Sequence, residues 1–244
     1  MHAPTQAQLL DLWDAGSRAT PWGRAALLLQ SAWPGATVAQ WPLGLANARL
    51  LELRAALFGS AWDCVADCPA CAQVAEVRLD VAAMLAAAPN ADAAQTEAWH
   101  PIDESPATPR FRLPVLADLT SAGPADASSA ARLLQAIVTA PASQTTDAAL
   151  VDLPPHTRTA IEQELLRLDP LAAIDIVMDC PACGHRWRAA ADIIGMLWAD
   201  LSTLAKRLLG DVARLAAVFG WSEQQIFALS PMRRQYYLDM VREW

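Results

Sequence analysis

The chain lacks the features that mark membrane proteins, secreted proteins and several large enzyme families. No stretch approaches the roughly 18–20 consecutive apolar residues that cross a bilayer. Its first residues, MHAPTQAQLLDLWDAG, contain neither the basic region nor the apolar run of a signal peptide. Glycine-rich phosphate loops and the GxSxG and HExxH motifs are also missing. We therefore expect a cytoplasmic protein that is not an enzyme.

Positive charge is in deficit. The 244 residues carry a formal net charge of −8, which argues against a nucleic-acid backbone as the main partner. Residues 86–169 hold eleven acidic residues and five arginines, a net charge of −6, and so predict a solvated or protein-facing surface. With 54% hydrophobic residues, the chain is long enough for one sizeable core or two small ones.

Cysteine is scarce but organised. The chain has five cysteines, so intramolecular disulfides cannot pair them all. Four of them form two Cys-Pro-Ala-Cys motifs, at 68–71 and 180–183. In a reducing compartment, CxxC pairs indicate metal or redox sites rather than structural disulfides.

The two motifs belong to longer segments that are diverged copies of each other. Residues 67–85, DCPACAQVAEVRLDVAAML, align without a gap to residues 179–197, DCPACGHRWRAAADIIGML, at a constant offset of 112. Eight of the 19 positions are identical. In both halves the expected order is helix, strand, CPAC turn, strand and the start of an apolar helix. We interpret this as an internal repeat, with a segment inserted between the two copies.

Four thiols in two matched turns are what a structural zinc ion requires. Zinc favours thiolates in a tetrahedral cage, and each CxxC turn supplies half of that cage. The expected ligands of one zinc ion per chain are therefore Cys68, Cys71, Cys180 and Cys183. Two alternatives remain: a thiol–disulfide redox site, which needs a reactive cysteine at a helix N-terminus, and buried thiols without a metal.

Four residues near the motifs have a structural and a functional interpretation. Cys64 has no counterpart in the second copy and is expected to be a buried strand residue rather than a ligand. His185 is expected to be exposed at the edge of the second turn, with metal ligation as the alternative. Asp80 and Asp192 are equivalent acids that resemble a catalytic pair, but each precedes an apolar helical start, which favours helix capping.

The fold class predicted from these patterns is mainly α with a small β zinc ribbon. In this interpretation, two helix-plus-CPxC repeats are joined around one zinc ion. The expected regions are an N-terminal helical region (1–60), a composite zinc ribbon (61–85 plus 172–197), an insertion with flexible acidic linkers and short helices (86–171), and a C-terminal helical region (198–244).

In the C-terminal region, apolar residues recur at helical spacing, which predicts a helix. A second, shorter segment follows it. The segment GWSEQQIFALSPMRRQYYL has the outline of a helix-turn-helix DNA reader, with Arg233 and Arg234 as its basic residues. Its neutral local charge favours a small helical packing unit instead.

Three groups of segments resemble a known family. They are LWDAGSRATPWGRAALLL with WPLGLANARLLELRAALFGSAWDCVADCPAC, RFRLPVLADL, and CPACGHRW with the helix that runs to FGWSEQQIFALSPMRRQYYLDMV. Together they resemble baseplate proteins of phage-derived contractile injection systems related to the T-even phage hub assembly chaperone. The tail of the chain is also similar to small phage tail-assembly chaperones.

The resemblance implies a non-enzymatic assembly factor or structural component of such a particle. Its expected partners are hub, spike or baseplate wedge proteins, and its expected location is the cytoplasm, where the particle assembles. The alternative is a zinc-ribbon adaptor that binds nucleic acid or another protein outside any phage-like particle.

Overall fold

A computed structural model describes residues 1–87, 98–102, 109–123, 128–139 and 153–242. Helices account for 59% of these residues, and the strands form small antiparallel sheets. The predicted mainly helical class with minor β structure is confirmed at this level.

The α-helices are α1 Gln6–Gly16, α2 Pro21–Ala32, α3 Leu43–Phe58, α4 Val81–Ala87, α5 Leu116–Ala122, α6 Ser129–Ile137, α7 Pro155–Leu168, α8 Ile193–Phe219, α9 Glu223–Ala228 and α10 Pro231–Arg242. The strands are β1 Ala61–Asp67, β2 Val74–Asp80, β3 His100–Pro101, β4 Arg110–Phe111, β5 Val138–Thr139, β6 Asp175–Asp179 and β7 Arg186–Ala190.

The main core lies where the N-terminal helices pack against α8. Thr5 begins α1 with a capping box, because its hydroxyl accepts from the Gln8 N–H and the Gln8 side chain accepts from the Thr5 N–H. Leu29 of α2, Leu51 of α3 and Leu197 of α8 are at most 1% exposed in one cluster. Burial of these apolar faces stabilises helices that would be marginal alone.

The longest helix among the described residues is α8, with 27 residues. No helix in the described ranges combines the length and the apolar character needed to cross a membrane. The expected boundary between residues 197 and 198 falls inside α8, so the second CPAC segment continues into the C-terminal region without a break.

Two β-hairpins sit on the helical core. Strands β1 and β2 pair with Asp67 opposite Val74, and β6 and β7 pair with Asp179 opposite Arg186. The register of the second hairpin is thus that of the first displaced by 112 residues. Trp62 of β1 is buried in the main core, which fixes the first hairpin against the helices.

The described part of the expected insertion has a small core of its own. Strands β3, β4 and β5 form one sheet, and Phe111 and Ile137 are buried with Ile161 of α7. After β4 ends at Phe111, helix α5 begins at Leu116. The flexible acidic linkers expected within the insertion (86–171) fall partly outside the described residues, because 88–97, 103–108, 124–127 and 140–152 are not described.

The last two helices pack back onto α8. Ser222 forms a capping box with Gln225 at the start of α9. Leu215, Ile226 and Leu238 form a buried cluster that joins α8, α9 and α10. This arrangement is the small helical packing unit that the sequence favoured.

Candidate metal centre

Each CPAC motif occupies the tip of one hairpin, and the two tips have the same backbone hydrogen bonds. In the first, the Cys68 N–H donates to the Gln73 carbonyl oxygen over 2.9 Å, and the Ala72 N–H donates to the Cys68 carbonyl oxygen over 2.8 Å. In the second, the Cys180 N–H donates to the His185 carbonyl oxygen over 2.9 Å. The remaining bond, from the Gly184 N–H to the Cys180 carbonyl oxygen, measures 3.0 Å. The two tips are therefore built in the same way.

Both tips also place the residue after the second cysteine in the left-handed region. Gly184 has a φ of 72°, and Ala72 at the equivalent position has a φ of 58°. Among the described non-glycine residues, Ala72 alone has a positive φ. This conformation is costly for an L-residue with a Cβ atom, so the tight turn imposes it.

The hairpins bring all four motif cysteines into one cluster. The four Sγ atoms lie within 4.8 Å of one another. The Cys68 and Cys183 Sγ atoms are 3.7 Å apart, and the Cys71 and Cys180 Sγ atoms are 3.6 Å apart. These distances far exceed the roughly 2.05 Å of a disulfide bond. A tetrahedron with metal–sulfur bonds of about 2.3 Å has edges of about 3.8 Å, so the sulfurs suit one metal ion.

Burial of the cluster is uneven. Cys68 and Cys180 are 2% and 4% exposed, whereas Cys71 and Cys183 are exposed. The first cysteine of each motif thus faces the protein and the second faces solvent. Strands β2 and β6 lie in contact, so the two hairpins also touch through their strands.

The protein environment changes how readily these thiols ionise. Backbone hydrogen bonds, chiefly from the Cys183 N–H, lower the pKa of the Cys180 thiol to about 6. At Cys71 the backbone hydrogen bond from Gln73 lowers the pKa, but hydrogen bonds with the Cys183 and Cys180 sulfurs outweigh it. Together they raise the pKa of Cys71 to about 12. Since adjacent thiolates repel, full ionisation of the cluster needs a cation, which a divalent metal supplies.

The two neighbouring candidates stay out of the cluster. Cys64 is half-buried on β1, where its thiol donates to the Trp62 carbonyl oxygen over 3.6 Å and its side chain packs against the main core. Burial raises the pKa of the Cys64 thiol. His185 is exposed and stacks on Trp187, with ring centroids 6.0 Å apart. Both placements match the structural interpretation of these residues.

The equivalent acids Asp80 and Asp192 cap helices, as the sequence favoured. The Asp192 carboxylate accepts from the Gly195 N–H over 2.9 Å at the start of α8. The Asp80 carboxylate accepts from the N–H groups of Ala82 and Ala83 at the start of α4. Their carboxylates are therefore engaged in capping rather than brought together as a pair.

The redox and DNA-reading interpretations have weak geometric support. Both CPAC motifs lie between strands, whereas a reactive cysteine of the redox kind needs a helix N-terminus. In the C-terminal helices, Arg234 is 5% exposed, donates to Gln6 of α1 and lies 5.0 Å from the centre of the Phe227 ring. A side chain held inside the protein in this way is not presented to a DNA backbone.

Comparisons of the chain with protein-family models, with curated proteins and with solved structures give no match. The interpretation of the site therefore depends on its own residues and geometry.

Sequence reasoning missed the backbone contribution to this centre. The N–H groups of Gln73 and His185 form hydrogen bonds to the Cys71 and Cys183 sulfurs at equivalent positions of the two tips. The available signal was Gly184, because a glycine directly after a CxxC pair favours the left-handed turn that exposes such N–H groups. The first motif has alanine at the equivalent position 72 and therefore lacks this signal.

Proposed function

We propose that Cys68, Cys71, Cys180 and Cys183 bind one structural zinc ion. The observation that carries this proposal is the cluster of four sulfurs with spacings of 3.6 and 3.7 Å. An all-thiolate set suits zinc better than it suits magnesium or calcium, which prefer oxygen ligands. The backbone hydrogen bonds to sulfur favour the thiolate forms that zinc requires.

The metal would join two segments that are more than 100 residues apart in the chain. Each hairpin supplies two ligands, so neither alone completes the site. Four thiolates fill a tetrahedral zinc ion and leave no position for water, hence the ion would stabilise the fold without activating a substrate. In this proposal the hairpins are two copies of one unit, and the zinc ion holds the copies together.

We further propose that the protein is a non-enzymatic assembly factor or structural component of the baseplate or hub of a phage tail-like contractile injection system. Two features support this role: the resemblance carried by the segments quoted above, and a metal-clamped helical scaffold. The proposed partners are hub, spike or baseplate wedge proteins. The binding surfaces would lie on the helices and the acidic insertion, because the four sulfurs would all bind the metal ion and leave no ligand position for a partner.

Metal content tests the zinc proposal directly. Protein purified without chelators should contain one zinc ion per chain by elemental analysis. Cobalt substitution should give the thiolate-to-cobalt charge-transfer absorption and the tetrahedral ligand-field bands of a four-sulfur site. Metal-free protein, or a cobalt spectrum without sulfur ligands, would refute it.

A deletion strain tests the proposed role in assembly. If the host encodes a contractile particle, loss of this protein should prevent or reduce the formation of complete particles, and the tagged protein should co-purify with hub, spike or wedge subunits. Normal particles in the deletion strain, and no such subunits with the tagged protein, would overturn this role. Salt-sensitive binding to DNA or RNA would instead favour the adaptor.

A further inference from the structure

A cavity of about 190 Å³ lies between α1, α8 and α10, in a different part of the protein from the cysteine cluster. Its polar lining includes Gln6, Arg207, Asp211 and Arg234, and its apolar lining includes Leu204 and Leu208. Two guanidinium groups thus line one small cavity in a chain whose net charge is −8. The C-terminal segment with the outline of a helix-turn-helix contributes Pro231, Arg234 and Gln235 to the lining.

Arg234 is a buried cation whose direct side-chain contacts are uncharged. Its side chain contacts the Gln6 amide oxygen and the Phe227 ring, both of which are uncharged. Among the described residues, no ion pair includes Arg234. Buried arginines are nearly always paired, because removing the charge from water is costly unless an opposite charge replaces the solvent. Arg234 therefore has no direct ion-pair partner, and Asp211, which lines the same cavity, attracts it only from beyond ion-pair distance.

The acidic residue of the cavity is already engaged. Asp211 is 7% exposed and forms an ion pair with Arg214, one turn further along α8. Arg207 lies on the exposed side of the cavity and takes part in no ion pair among the described residues. The first turn of α10 begins at Pro231, which also lines the cavity and adds the positive end of a helix dipole. The cavity thus has an excess of positive charge.

We propose that this cavity binds a carboxylate carrying a short apolar group. A guanidinium matches the two oxygens of a carboxylate, so Arg234 and Arg207 would hold the anionic end. The leucine side chains would contact the apolar group. A singly charged carboxylate suits the cavity better than a phosphate dianion, because the repulsion from Asp211 grows with the charge of the bound anion.

Titration of the full-length protein with propionate and with neutral propionamide tests this proposal. Propionate should shift the NMR resonance of the Arg234 Nε–Hε group, and propionamide should not. Arg207→Gln should weaken propionate binding at least fivefold. Arg233→Gln is the matched control, because Arg233 is exposed on α10 but does not line the cavity; this variant should bind as the wild type does.

Two results would overturn the proposal. One is an Arg234 resonance that propionate leaves unmoved at concentrations that saturate any other site. The other is equal weakening by Arg207→Gln and Arg233→Gln, which would indicate general attraction to surface charge. N-acetyl-leucine, which imitates the carboxyl end of a polypeptide, distinguishes the two sources of carboxylate. Binding at least tenfold tighter than that of propionate identifies a protein terminus, and equal binding identifies a small organic acid.

Discussion

The two CPAC hairpins have the same register and the same turn hydrogen bonds, yet they differ in the residue at the left-handed turn position and in their strand residues. The second has glycine at the left-handed position, whereas the first has alanine there with a φ of 58°. In the strands, half-buried Cys64 of the first hairpin corresponds to Ile176 of the second. The cysteines, the turn bonds and the capping aspartates are shared, while the residues around them have diverged. The shared turn bonds accompany the same placement of two cysteines in each hairpin.

Loss of one cysteine from either hairpin should have the largest effect. We expect Cys68→Ser and Cys180→Ser to release the metal and to lower the free energy of unfolding by on the order of 5 kcal/mol or more, because a structural zinc site contributes directly to folding. Elemental analysis and urea denaturation measure the two effects. The control is Cys64→Ser, which should keep the metal and stay within about 1 kcal/mol of wild type.

This prediction also tests whether the hairpins act together. One shared ion requires equal metal loss from the two variants. Metal retained at full stoichiometry in either of them would mean that the hairpins do not share a site.

The next largest effect is expected from the capping aspartates. Asp192→Ala should cost about 1–2 kcal/mol of unfolding free energy, because Asp192 caps the 27-residue helix that forms much of the core. Asp80→Ala should cost less, since α4 has only seven residues. Urea denaturation of the metal-loaded variants measures both costs. Asp192→Asn preserves a capping oxygen and should restore most of the stability; an equal loss in that variant would contradict the capping role.

Exchange of the turn residues should produce smaller effects of opposite sign. Ala72→Gly should stabilise the protein by about 0.5–1 kcal/mol, because glycine adopts a positive φ without the Cβ conflict. Gly184→Ala should destabilise it by about 1 kcal/mol for the same reason. Thermal unfolding of metal-loaded protein measures both, and two shifts of the same sign would contradict the equivalence of the turns.

The smallest effect is expected at a contact that joins the insertion to the N-terminal helices. Buried Asp169 accepts from the Gly44 N–H over 2.8 Å at the start of α3. Burial raises the pKa of Asp169, and the bond from Gly44 opposes that shift only in part. The contribution of this carboxyl to the free energy of unfolding is thus fully present below its unfolded-state pKa of about 3.9. It is lost as the pH rises through the pKa of the folded state.

Asp169→Asn tests the predicted direction of this pH dependence. Asparagine keeps an acceptor for Gly44 without a charge, so the variant should gain stability relative to wild type as pH rises from about 4 to 7. The difference should stay within about 1 kcal/mol at every pH. Unfolding curves across this range measure it, and a difference that runs the other way would show that the folded state favours the ionised carboxyl.

Much of the local structure was predictable because its causes lie within a few residues. Helix starts are marked by capping side chains that accept from N–H groups two or three positions away, as at Thr5, Ser222 and Asp192. The CPAC turns follow from spacing in the same way. The helix that begins at Leu116 has no such signal, because a short apolar stretch with a proline does not separate strand from helix when burial is unknown.

The sequence by itself determined which four cysteines belong together, since the constant offset of 112 residues relates the two motifs. Only the tertiary structure decided that Cys68 lies beside Cys183 and Cys71 beside Cys180, that Asp169 contacts the start of α3, and that Arg234 is buried. Spacing along the chain encodes turns and helix caps because these involve neighbouring residues. Contacts between residues more than 100 positions apart depend instead on how the helices pack around the shared core, and no local pattern carries that information.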